Sequence, residues 1–157
     1  MPRLLNGLWT GALAGAAGAT ALNIVTYADM TVRARPSSST PEQLVQKVAS
    51  DLDVAIPGAG EQRENRISGL GGLSGPLVGV AVGAAAGAVR ALGIRLPLLI
   101  SAPLIGAAAM ASADVPLAAE GISDPRTWSR TDWAADVVPH LVFGLVTALA
   151  IRAMQRR

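Results

Sequence analysis

Charged residues in this chain are bunched, and the gaps between the bunches are long and apolar. The first gap runs from Leu4 to Ala28, 25 residues without a charge, and the second from Ile67 to Val89, 23 residues. The third covers Leu96 to Ala113, 18 residues. The fourth opens near Trp133 and reaches Met154, but only the 15 residues from Val137 to Ile151 are strictly uncharged. An α-helix crosses the hydrocarbon layer of a bilayer with about 20 predominantly apolar residues. The pattern therefore predicts an all-α, polytopic membrane protein. Its transmembrane helices span 4–28, 67–89, 96–113 and 133–154, in one integral membrane domain over 1–157. The fourth is the shortest in strictly uncharged length, close to the stretches of about 10 to 14 apolar residues that more often belong to buried or re-entrant helices. Pro97 sits near the start of the third span, and Pro103 predicts a kink inside it. Asp114-Val115-Pro116 predicts its end.

Two polar segments, 29–66 and 114–132, join spans on one side of the bundle. In the first, Thr40-Pro41-Glu42-Gln43 predicts a helix start, with Thr40 as cap, Pro41 in the first position and Gln43 completing a capping box. Leu44, Val45, Val48 and Leu52 then share a face, so a short amphipathic helix of about three turns follows. It lies on the membrane surface or against the bundle. Pro57-Gly58-Ala59-Gly60 ends it, and Glu61 to Arg66 is a charged approach to the second span. In the second segment Asp124-Pro125 predicts a turn, and Ser129 or Thr131 caps the last span. The first span has a rival reading as a secretory signal peptide. Arg3 would be its basic start, and Ala17-Gly18-Ala19 or Ala19-Thr20-Ala21 its cleavage site. The uncharged stretch continues past both, which favours a retained span.

Glycine punctuates the second span at every fourth residue: Gly71, Gly75, Gly79, Gly83 and Gly87. Gly7, Gly11 and Gly15 repeat that spacing in the first span. In a water-exposed helix each glycine is roughly 1 kcal/mol worse than alanine. In lipid, small residues let helices approach closely and associate through packing and hydrogen bonds. The two stripes therefore predict helix-packing faces, used within one bundle or between protomers.

Composition narrows the function. The chain has 157 residues, 51% hydrophobic, but only 3% aromatic and 15% charged. That is little material for the core of a soluble enzyme and ample for thin helices in tight contact. There is no cysteine and one histidine, which excludes disulfides, thiolate nucleophiles and a histidine-rich metal site within one protomer. No metal or cofactor is expected. Stacking aromatics beside a dense basic face are missing, which argues against nucleic acid. With four spans, Arg3, Arg90, Arg95, Arg152, Arg156 and Arg157 fall on one side. All 11 acidic residues fall on the other. The positive-inside rule places both termini in the cytoplasm.

One polar stripe stands out. Asp136, His140 and Gly144 are spaced by four and share a face of the last span. Pro139 beside them frees the carbonyl of Ala135. An ionisable pair inside a membrane is a functional hypothesis by default, here proton sensing or relay. The bland alternative makes Asp136 an interfacial first-turn acid and His140 a bundle residue. Asn6, Thr10, Thr20, Asn23 and Thr26 are candidates for bonds across helices, and Asp29 and Asp114 mark the outer membrane boundary. No phosphate loop follows the glycines at 69–75, and no serine sits in a nucleophile elbow.

Ser101-x-Pro103-Leu104-x-Gly106, an outer loop, and then His140-Leu141-Val142-Phe143-Gly144 resemble the YagU-like family of small bacterial inner-membrane proteins. So does a small-residue first span ahead of Arg33-x-Arg35-Pro36. The resemblance implies a multispan inner-membrane protein linked to acid tolerance, with no catalytic residues to carry over. The chain is therefore read as a non-enzymatic accessory membrane protein, packing on itself or within a larger complex. The alternative is a proton-linked channel or transporter using Asp136 and His140.

Overall fold

The computed structural model describes residues 1–155, so Arg156 and Arg157 of the basic tail lie outside the described residues. Five α-helices carry the chain: α1 (Pro2–Arg33), α2 (Thr40–Asp51), α3 (Glu61–Ala91), α4 (Leu98–Ala119) and α5 (Arg130–Met154). A 3-10 turn at Pro125–Thr127 precedes α5. Among the described residues α1, α3, α4 and α5 are long and apolar enough to cross a membrane. The chain is a four-helix membrane bundle, with α2 as the amphipathic helix of the first loop. The start of α1, the end of α5 and the α3–α4 turn lie at one end, the terminal end. The α1–α3 and α4–α5 connections form the loop end.

Three boundaries differ from the sequence reading, for one reason. A charge ends the stretch that lipid can solvate, but it does not end a helix whose next turn reaches water. So α1 runs on through Asp29 to Arg33. There Asp29 holds Arg35 Nε at 2.6 Å and Arg33 Nη1 at 3.3 Å. The charged approach Glu61–Arg66 is the first part of α3. Asp114-Val115-Pro116 does not close α4, which continues to Ala119 with Pro103 and Pro116 both inside it. The start of α2 also shifts. Its cap is Ser39, whose Oγ accepts from Gln43 Nε2 at 3.0 Å, and Thr40 is the first helical residue.

Around the bundle the helices follow the order α3, α1, α5, α4. Contact is heaviest between α1 and α3, and extensive from α1 to α5 and from α5 to α4. Between α3 and α4 it is slight. The α1–α3 seam is backbone against backbone. A methyl group on Gly11 would strike the carbonyl oxygen of Gly83, and one on Gly15 the carbonyl oxygen of Gly79. One on Gly7 would lie 2.5 Å from Ala91 Cβ, and one on Gly83 only 2.5 Å from Gly15 Cα. The α4–α5 seam is built the same way, since a methyl on Gly106 would sit 2.5 Å from the His140 carbonyl oxygen. Small residues are what permit such approach, and close packing is what lipid-embedded helices gain from.

Large side chains are few inside. Phe143 is 1% exposed and Thr147 is fully buried, both at the α1–α5 contact, where Gly18 leaves room for them. Leu5, Leu73, Leu77, Leu99 and Leu104 face outward instead. In water such a surface would drive association, whereas lipid solvates it.

Candidate functional site

The start of α5 is fixed by a reciprocal cap. Ser129 Oγ accepts from the Asp132 amide at 3.2 Å, and Asp132 Oδ2 accepts from the Ser129 amide at 3.0 Å. One turn on comes Asp136, and a further turn brings His140. The His140 Nδ1 lies 2.8 Å from the Asp136 carbonyl oxygen and 3.4 Å from its Oδ1. A carbonyl can only accept, so Nδ1 carries the hydrogen and Nε2 keeps the lone pair in the neutral ring. The ring is 13% exposed and the Asp136 side chain 24%. Asp136 Oδ2 is enclosed with no hydrogen-bond partner.

The extra turns of α4 bring a third group. Asp114 faces Asp136 and lies within electrostatic reach of His140. Two carboxyls and an imidazole thus meet where α4 and α5 pack.

This cluster borders open space. Outward lies a vestibule of about 490 Å³ lined by Asp114, Asp136 and His140, with Arg33, Arg35 and Trp128 on its other walls. Inward lies a chamber of about 240 Å³. Leu22, Val78, Leu117 and Phe143 make its walls apolar, while Asn23, Ser74 and Ser112 contribute the polar atoms. Leu22, Pro41, Ala113, Leu117 and His140 line both spaces. His140 therefore stands on the border between a polar antechamber and an apolar interior. Between α2 and the end of α4, Lys47 bonds Asp51 at 2.6 Å and Glu120 at 3.3 Å. These carboxylates, Asp51 first, hold the Lys47 ammonium above the usual lysine range. At such exposure the pair adds little stability. In the second loop, Arg126 holds the Asp124 carboxyl below its ordinary value.

The other residues singled out from the sequence separate into distinct environments. Gly7, Gly11 and Gly15 meet Gly79, Gly83 and Gly87 in the α1–α3 seam. Gly71 leaves the stripe to face Glu42 of α2, and Gly75 has nothing within 4 Å and lines the chamber. Thr10 and Thr20 donate to carbonyls of their own helix. Thr10 also accepts from Gln155 Nε2 at 2.8 Å, which ties the end of α5 to α1. Asn23 lines the chamber and Thr26 the vestibule. The sequence alone marks Asp114 only as a boundary residue. Its signal was present, because Asp114 and Asp136 fall at the same loop-end boundary of consecutive antiparallel spans. Likewise Ala102 and Gly106, four apart, foreshadowed the α4–α5 seam.

In comparisons with known proteins, the chain matches no family model, no curated protein and no solved structure. Among the described residues no cluster of His, Asp and Glu side chains is arranged to hold a metal ion.

Proposed function

We propose that this is a non-enzymatic, multi-pass protein of the bacterial inner membrane, with both termini cytoplasmic. In this reading it is a proton-linked carrier or channel, in which Asp114, Asp136 and His140 bind protons and a small organic cation in competition. The observation that carries the reading is the position of His140, shared by the vestibule and the chamber, with two carboxyls beside it. An apolar chamber behind carboxylates suits a cation with a hydrocarbon body. Protonating the carboxylates removes the charge that attracts it, so proton and cation are thermodynamically linked. The orientation rests on the arginines of the terminal end and the acids of the loop end. A role in acid tolerance, implied by the YagU-like resemblance, is compatible with such exchange.

Proteoliposomes loaded with tetraethylammonium and a pH dye, under an acid-outside gradient, test this. The protein should accelerate proton entry when the cation is present inside, and Asp136→Asn should return entry to the protein-free rate. Gly75→Leu should do the same by filling the chamber, because its new side chain meets open space rather than backbone. Equal rates with and without the wild-type protein would end this reading.

The accessory role keeps one observation of its own. Gly69 and Gly72, on the loop-end half of α3, have nothing within 4 Å. They offer a second helix the close approach that small residues allow. If Gly72→Leu dissociates an oligomer or strips a co-purifying partner at fixed stoichiometry, self-association or complex membership is the better account.

A further inference from the structure

At the terminal end, far from the carboxyl cluster, a cleft of about 90 Å³ opens between α3, α4 and α5. Arg90 and Arg152 border it, and Ile94, Leu104, Ile105 and Ile151 form its apolar walls. Arg152 is held in place, its Nη2 donating to the Leu96 carbonyl at 2.6 Å. Arg90 lies within electrostatic reach of both Arg152 and Arg95. Among the described residues no carboxylate pairs with any of the three. Every Asp and Glu side chain of the sequence belongs to the segments of the loop end. Like charges gathered beside an apolar wall repel one another more strongly than they would in water. An anion between them reverses the sign of that interaction.

We propose that this cleft holds the phosphate of an anionic phospholipid, with Arg90 and Arg152 on the phosphate oxygens and the acyl chains lying along the groove between α3 and α4. Guanidinium groups match phosphate geometry, and basic pockets between membrane helices bind such headgroups. A lipid is favoured over a free anion by what adjoins the cleft. Its walls are apolar, and Leu99, Ile100 and Leu104 of α4 are exposed toward the hydrocarbon. The space suits a headgroup and not a whole lipid, so the chains must run outside it. The α3–α4 line is also where the helices touch least.

Native mass spectrometry of the full chain in mild detergent tests this, with phosphatidylglycerol, phosphatidylcholine and inorganic phosphate as separate additions. One phosphatidylglycerol should be retained in preference to phosphatidylcholine. Arg90→Gln should weaken that retention about tenfold, the size of one lost charge-assisted hydrogen bond. Arg3→Gln, at the same end but outside the cleft, should leave it unchanged. Arg152→Gln also breaks the tie to Leu96, so Arg152→Lys serves as its folded companion and should give a smaller loss than Arg90→Gln. Equal retention of the two lipids, or full retention by Arg90→Gln, overturns the proposal. Displacement of the lipid by inorganic phosphate overturns it too, by assigning the cleft to a free anion.

Discussion

Gly83→Leu should prevent α1 and α3 from docking. A methyl at this position already lies 2.5 Å from Gly15 Cα and 2.6 Å from Gly15 N. The obstacle is backbone, so no side chain can rotate away and the helices must separate. Overpacking of an adaptable core costs about 1–3 kcal/mol, and a rigid seam should exceed that. The sharper variant is Gly83→Ala. In an unconstrained helix interior glycine to alanine gains roughly 1 kcal/mol, whereas here it should destabilise. Gly72→Ala, on the same helix with open space around it, should show the ordinary gain. Unfolding in mixed micelles, followed by circular dichroism against the mole fraction of denaturing detergent, reads all three variants. If Gly83→Ala proves as stable as Gly72→Ala, the seam is not what holds these helices together.

The second large effect concerns protons. Trp128 shares the vestibule with Asp114, Asp136 and His140, and its ring lies 5.1 Å from that of Trp133. Its emission should therefore change as the cluster titrates. Histidine is the side chain whose ordinary range falls between about pH 5 and 8, so the profile across that window should change shape in His140→Ala. Asp136→Asn should move the transition instead of erasing it, because it removes the carboxylate whose Oδ1 lies 3.4 Å from the His140 Nδ1. The only other tryptophan, Trp9, sits at the terminal end near the start of α1 and provides a steady background. An unchanged fluorescence profile in His140→Ala would remove the imidazole from any proton-linked role.

The four spans and the amphipathic helix were legible because lipid imposes a coarse demand: enough consecutive apolar residues, whatever their order. Helix ends were harder to place. Asp29 and Asp114 end uncharged stretches of sequence, and the backbone ignores that mark by running on through both. Pro116 was a poor terminator, because a proline near a helix end forfeits a bond close to where carbonyls already lack partners. The shared face of Asp136 and His140 followed from their spacing. Asp114 joins them from another helix, and only the pairing of α4 with α5 brings it there. The glycine stripe stated that something must come close without naming the partner. Six of its eight residues turn out to face one another across α1 and α3, while Gly71 and Gly75 serve α2 and the chamber.

The loose closure between α3 and α4 has a mechanical consequence. α3 is clamped to α1, α4 to α5, and α1 and α5 join the two pairs along one long edge. The bundle is thus built like a book, with a stiff spine and a fore-edge where its covers barely meet. Opening of that fore-edge would dilate the apolar chamber and the arginine-lined cleft in a single movement. Whatever wedges the covers apart at one end would then be felt at the other, with no dedicated wire running between them.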